Sequence, residues 1–165
     1  MDAIIRDSRD ADIPALAAIY AHAVRTGTAS FELDPPDEVA FAERRANILA
    51  AGYPYMVAEL DGAAVGYAYA STYRARPAYR FTVENSVYVA PGLQGRGIGR
   101  RLVPILIDRC EAAAFRLMIA VIGDSANQAS IALHAACGFT HAGVLPAMFT
   151  GTARRSEGRR QVSHC

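Results

Sequence analysis

The spacing of apolar positions changes several times along the chain, and each change marks an element. Ala3-Ile4-Ile5-Arg6 reads as a short first strand. Asp10-Ala11-Asp12-Ile13-Pro14 then has the acidic cap and first-turn proline of a helix start, with Leu16, Ile19, Tyr20, Ala23 and Val24 at helical spacing up to Gly27. Residues 28–37 are small and polar with a Pro35-Pro36 pair, which predicts a loop, and a second helix is expected over Asp37–Ala50, before Gly52. From Tyr55 the period shortens. Tyr55–Leu60 and Ala64–Ala70 read as strands joined by Asp61-Gly62, a two-residue hairpin turn. Phe81–Val89 is a longer strand rich in aromatic and β-branched residues, followed by a glycine-rich turn and an apolar helix reaching Ala114. Leu117–Ile122 is a continuous apolar strand, Asn127–Cys137 a helix closed by Gly138, and Phe139–Leu145 a last strand.

The pattern stops at Leu145. Residues 1–145 are expected to form a single domain. Residues 146–165 carry four arginines between Ala153 and Arg160 with no apolar period, which predicts a basic, solvated tail without fixed order.

Composition narrows the class. With 165 residues, 52% hydrophobic and 20% charged, the chain can bury one substantial core. Seventeen Lys and Arg against sixteen Asp and Glu leave a net charge of +1, so neither nucleic acid nor a membrane surface is expected as a partner gripped through bulk charge. Cys110, Cys137 and Cys165 form neither a disulfide framework nor a CxxC pair, and His22, His134, His141 and His164 have no ligand spacing, so no metal is expected. The N-terminus lacks a signal-peptide pattern and no apolar run is long enough to span a bilayer. The expected setting is the cytoplasm.

The chemistry concentrates at Gln94-Gly95-Arg96-Gly97-Ile98-Gly99, between a strand and a helix. Glycines there allow positive φ and close backbone approach. The N–H groups of the following helix point at the same space, and Arg96, Arg100 and Arg101 add positive charge. These features suit a pyrophosphate. The run is neither a P-loop, which needs Gly-Lys-Ser/Thr, nor the G-x-G-x-x-G dinucleotide fingerprint.

The same run matches the Q/R-x-x-G-x-G/A signature of the GNAT superfamily of acetyl-CoA-dependent N-acetyltransferases. The stretches Tyr79–Val89 and Asn127–His134, followed by Gly138-Phe139, resemble its phosphinothricin and methionine sulfoximine acetyltransferase branch. The resemblance covers residues 3–145. It implies an α/β (α+β) fold: a mixed, mostly antiparallel central sheet, flanked by helices and splayed at the acetyl-CoA site. It implies acetyl-CoA as cosubstrate, a small amino-acid-like amine as acceptor, and a cytoplasmic enzyme for which a homodimer is open. By family position, the backbone of Val87, Tyr88 and Val89 pairs with the cofactor arm. Gly95, Arg96, Gly97, Ile98, Gly99 and Arg100 hold its pyrophosphate, and Asn127 bonds the arm. Ser130 is either a cofactor contact or a local backbone cap. Phe31, Arg74, Ala75, Arg76, Glu84, Asn85 and Ser86 are expected at the acceptor, with Phe31 either an aromatic wall of the pocket or a plain core contact and the arginines either clamping an anionic group or simply solvated.

An amine must lose a proton before it can attack a thioester, and Glu84 is the expected base, in a strand where a charge is otherwise costly. Period two puts Glu84, Ser86 and Tyr88 on one face of that strand, unless a bulge interrupts it. His134 occupies the place where the family often carries a tyrosine acid. It is either that acid or a packing residue.

Two departures stand out. Pro104 lies inside the helix after the glycine turn, where it removes a hydrogen bond at a cost of roughly 3 kcal/mol unless the helix bends. The tail also lacks the tryptophan-bearing final strand of the family. That opens one alternative, a cofactor-binding protein with impaired catalysis; within the enzyme class, a protein N-terminal acetyltransferase, which would accept peptides, is the other.

Overall fold

A computed structural model describes residues 3–26, 32–124, 126–145 and 160–164. Seven strands form one sheet in the order β1-β2-β3-β4-β5-β7-β6: β1 (Ile4–Asp7), β2 (Tyr55–Leu60), β3 (Ala63–Thr72), β4 (Thr82–Val89), β5 (Leu117–Ile122), β6 (Thr140–Leu145) and β7 (Arg160–His164). The β4–β5 pair is parallel and the other pairings are antiparallel. Among the described residues four α-helices flank it: α1 (Ile13–Thr26), α2 (Glu38–Ala50), α3 (Ile98–Ala112) and α4 (Gln128–Ala136).

Local chemistry sets the boundaries. Asp61 and Gly62 turn β2 into β3 with φ of 50° and 80°, the left-handed pair that a tight hairpin needs. The Asp37 carboxylate accepts the Ala40 N–H at 2.8 Å and so caps α2. The expected start of α1 at Asp10 is instead a 3₁₀ turn over Asp10–Asp12. It forms because Asp12 is drawn to Arg6, whose guanidinium forks onto its two carboxylate oxygens at 2.8 and 2.7 Å and reaches Glu59 at 2.6 Å. Arg45 of α2 ties down the same corner, with bonds of 2.8 Å to the Ser8 hydroxyl, the Ser8 carbonyl and Asp10. Helix α3 runs through Pro104 without interruption, and the neighbouring Val103 and Leu106 are fully buried.

Each central strand feeds two cores. Met56, Ala58, Ala68, Ala70 and Val83 pack against Leu102, Val103 and Leu106 of α3. Their alternates Tyr55, Val57 and Tyr67 pack against Ile13, Leu16 and Ile19 of α1 and Phe41 of α2. Cys110, in the first core, is buried and its thiol is pushed up to about 12.

The expectation for the tail needs correction at its far end. The backbone of Arg160–His164 is a strand between β5 and β6, in continuous register with β5 from Gln161 opposite Ile122 to His164 opposite Ile119, and paired with β6 across a register shift between His141 and Gly143. Composition hid it, since five residues with one aliphatic side chain carry little pattern. The backbone groups that β5 and β6 offer supply the ladder instead. Residues 146–159 lie outside the described residues.

Candidate active site

The site arises where two parallel strands part. Strand β4 pairs with β5 from Thr82 opposite Leu117 to Asn85 opposite Ala120. Beyond that point β5 continues to Ile122 with β7 along its far edge, and β4 continues to Val89 with β3 on its other side, so the facing edges of β4 and β5 are no longer paired. The bulge envisaged on β4 is absent. Its register with β3 is continuous from Val83 opposite Thr72 to Val89 opposite Gly66, so the divergence of β5 alone makes the opening. A cleft of about 350 Å³ fills it. One edge of Ser86–Tyr88 therefore presents backbone groups toward this cleft rather than toward a strand; Val89, also expected there, does not line it, and its carbonyl lies 3.4 Å from the Gln94 amide nitrogen.

Of the residues expected at the site, Glu84, Asn85, Ser86, Val87, Tyr88, Asn127, Ser130 and His134 line the cleft. Glu84 is half-buried. Tyr69 stands opposite Ser86 in the ladder, and its phenol hydrogen-bonds the Ser86 side chain. Burial raises the Tyr69 phenol above its ordinary value, and the Ser86 bond opposes that shift. Asn127 caps α4 by accepting the Ser130 N–H at 3.1 Å.

His134 is 4% exposed and sits edge-on to Phe139, with centroids 4.9 Å apart. Its Nδ1 donates to the Ser130 carbonyl at 2.8 Å, and its Nε2 lies 3.0 Å from the Asn85 amide nitrogen. The Ser130 hydroxyl makes a longer contact with Nδ1 at 3.4 Å. Burial lowers the His134 pKa, against the opposing effect of the Ser130 bond. The ring hydrogen is thus spent on a carbonyl, an arrangement that fits the packing and hydrogen-bonding alternative for His134 better than the acid for the leaving thiolate. Asn85 also differs from its expected place at the acceptor: at 6% exposure its side chain turns to α4.

The glycine turn lies beyond the open end of β4. Gly95 and Gly97 have φ of 75° and 84°, and a Cβ on either would meet nothing within 4 Å. Gly97 caps α3 with no side-chain bond, so the first N–H groups of the helix face outward beside exposed Arg96 and Arg100. Gly99 has another function. A Cβ there would stand 2.8 Å from Leu133, so this glycine lets α3 and α4 touch. An open, uncapped helix start and an unpaired strand edge fit a pyrophosphate and an amide-bearing arm.

Arg74, Ala75 and Arg76 are exposed on the β3–β4 connection, and none of them lines the cleft. Arg74 instead lies over the rings of Tyr73 and Tyr79, at 5.3 and 5.7 Å. Phe31 lies outside the described residues. Sequence reasoning missed Tyr20, Tyr69, Ser71 and Glu32, which also line the cleft. Tyr20 has helical core spacing, and its packing on Tyr88, at 5.2 Å edge to face, depends on the tertiary arrangement. Tyr69 could have been found from the alternation of β3, which pairs it with Ser86. Among the described residues there is no group of three His, Cys, Asp or Glu able to hold a metal ion, and no helix long and apolar enough to cross a membrane.

Residues 16–139 match the Acetyltransferase (GNAT) family, and the chain belongs to it. It is an acetyl-CoA-dependent N-acetyltransferase. It is 60% identical over 141 residues to phosphinothricin N-acetyltransferase of Alcaligenes faecalis, covering 86% of this chain and 72% of that protein. It is 39% identical over 145 residues to the L-methionine sulfoximine/L-methionine sulfone acetyltransferase of Salmonella typhimurium, covering 86% and 82% of the two chains. The crystal structure of a GNAT superfamily phosphinothricin acetyltransferase from Sinorhizobium meliloti in complex with AcCoA superposes with a TM-score of 0.94 at 43% identity, over 100% of this chain and 88% of that one.

Proposed function

We propose that the protein acetylates the primary amine of a small amino-acid-like acceptor of the phosphinothricin or methionine sulfoximine type, with Glu84 as base. The observation that carries this reading is the parting of β4 from β5, which opens a cleft beside a half-buried carboxylate. Similarity to the acetyltransferases of those two amino-acid analogues supports the acceptor class.

Acetyl-CoA, when bound, supplies an acetyl group activated as a thioester. The backbone of Val87 and Tyr88 holds the extended arm through the free edge of β4. The N–H groups from Gly95 through Arg100 hold the pyrophosphate at the start of α3. Asn127 and Ser130 line the same cleft from α4. Glu84 accepts the proton of the acceptor ammonium, directly or through a water, so that the nitrogen lone pair becomes available. An N–H at the parting point polarises the carbonyl under attack. The same proposal places the enzyme in the cytoplasm, where a reduced thiol such as the buried Cys110 persists, as a homodimer.

The test is Glu84→Gln, which keeps the shape and removes the basicity. A fall of about 10²–10⁴-fold in kcat/KM at neutral pH, shrinking as the solution itself deprotonates the amine, supports the reading. Unchanged turnover from pH 6 to 9 refutes it. The catalytically impaired alternative rested on a missing final strand, and β7 now stands in the sheet at that end of the chain.

A further inference from the structure

The aliphatic side of the sheet contains one polar pair that packing does not need, Asn85 and His134, at 6% and 4% exposure. Its hydrogen bonds agree on a single arrangement of protons. The Ser130 carbonyl, 2.8 Å from His134 Nδ1, can only accept, so Nδ1 carries a hydrogen. In a neutral ring Nε2 then offers a lone pair, and the Asn85 amide nitrogen 3.0 Å away can only donate. This leaves the Asn85 carbonyl oxygen buried with no hydrogen-bond partner among the described residues. Such an orphan forfeits the hydration it had in the unfolded chain and gains nothing in return. Turning the amide over would bring that oxygen to Nε2, but only if the ring took a second proton, and a buried imidazolium is opposed by desolvation. The fold thus accepts an unpaired carbonyl in order to present an N–H to the imidazole. Asn85 is also the last residue of β4 still paired with β5, so it fixes the ring at the floor of the cleft.

We propose that Asn85 is a positioning residue acting through His134: it locks the ring as the neutral, Nδ1-protonated tautomer with both nitrogens engaged, so that no imidazolium charge forms beside the cationic acceptor amine in the cleft. The surroundings suit this. Strand β5 brings the apolar Ala120 and Ile122, and α3 meets α4 at Gly99 and Leu133. Phe139 covers one side of the ring. The carboxylates sharing the cleft are Glu84 and Glu32, and the phenols are Tyr20, Tyr69 and Tyr88. The kinetic consequence rests on the acetyl-transfer reading above; the protonation pattern does not.

Long-range ¹H–¹⁵N correlation spectra of the histidine rings test it. In the wild type at pH 7, His134 should show a protonated Nδ1 and a lone-pair Nε2, and should stay neutral below the ordinary imidazole range of about 6.5. Asn85→Asp replaces the donor by an acceptor. Both ring nitrogens should then be protonated at pH 7, the acid limb of kcat/KM should move to higher pH, and activity at pH 7 should fall about 10-fold or more. A wild-type spectrum with hydrogen on Nε2 overturns the proposal, and needs no variant to fold. An Asn85→Asp protein whose His134 titration is unchanged also overturns it, as does one whose spectrum changes while its pH profile does not. Absence of turnover with every amine acceptor would refute the proposed function instead, and the wild-type spectrum would still decide the protonation claim.

Discussion

The two faces of the central sheet are built from the same three strands and follow different rules. On the α3 side the side chains are aliphatic: Met56, Ala58, Ala68, Ala70 and Val83 against Leu102, Val103 and Leu106. On the α1 and α2 side they are largely phenolic. Tyr67 stacks on Tyr55 at 5.7 Å and on Tyr88 at 5.2 Å, Tyr55 stacks on Tyr69 at 5.0 Å, and Tyr20 meets Tyr88 edge to face. The aliphatic face needs only matching shapes, and it fixes the helix that carries the glycine turn. The phenolic face must also place hydroxyls. Three of its members, Tyr20, Tyr69 and Tyr88, run on into the cleft, so packing there and chemistry there are the same residues.

The contrast can be broken from either side. The largest effect is expected from Leu106→Ala. It removes a fully buried side chain and should cost about 2–5 kcal/mol in denaturant unfolding, while the KM values of the folded enzyme stay put. A shift in KM equal to the stability loss would mean that the aliphatic face shapes the cleft directly. Acidification comes next. Burial holds the His134 pKa below its unfolded value, so the unfolded chain takes up the proton first. The stability contributed by the neutral ring is complete above about pH 6.5 and is lost as the pH falls through the lower, folded value, with a slope of at most about 1.4 kcal/mol per pH unit. Unfolding free energies between pH 7.5 and 5, compared with those of His134→Gln, should show the slope in the wild type alone. Tyr69→Phe should be smaller, with a loss of about 0.5–1.5 kcal/mol of transition-state stabilisation, read in kcat/KM, and little change in Tm. Smallest is Tyr67→Phe. The Tyr67 hydroxyl is buried with no hydrogen-bond partner among the described residues, so its removal should leave stability within about 1 kcal/mol or raise it. A large loss would reveal a hydrogen-bonded water behind the tyrosines.

The legible parts of the molecule were those where one local rule suffices. Asp61-Gly62 and the two-residue period of Thr82–Val89 each follow from neighbouring residues, and the structure has both. The glycine turn was legible in its first two glycines. The third, Gly99, looks the same in sequence, yet its constraint comes from Leu133, thirty-four positions away in the chain. Strand β7 was not legible for a related reason. Its ladder is dictated by β5 and β6, and its composition says nothing of either. Asn85 was assigned to the acceptor by family position. Its inward turn became readable only once α4 had brought His134 to within 3.0 Å.

The contacts of two glycines bear on the energetics of cofactor capture. Helix α3 is pinned on both flanks: Gly99 admits Leu133, and Gly66 lies where a Cβ would come within 3.0 Å of the Tyr88 carbonyl and 3.1 Å of the Ile98 methyl. The helix start therefore has almost no room to shift, and its outward N–H groups are aligned before any anion arrives. Capture of the pyrophosphate then spends little conformational entropy on the protein side. A single methyl group at either glycine, carrying no charge and touching no ligand, would tax affinity by forcing the helix away from that alignment.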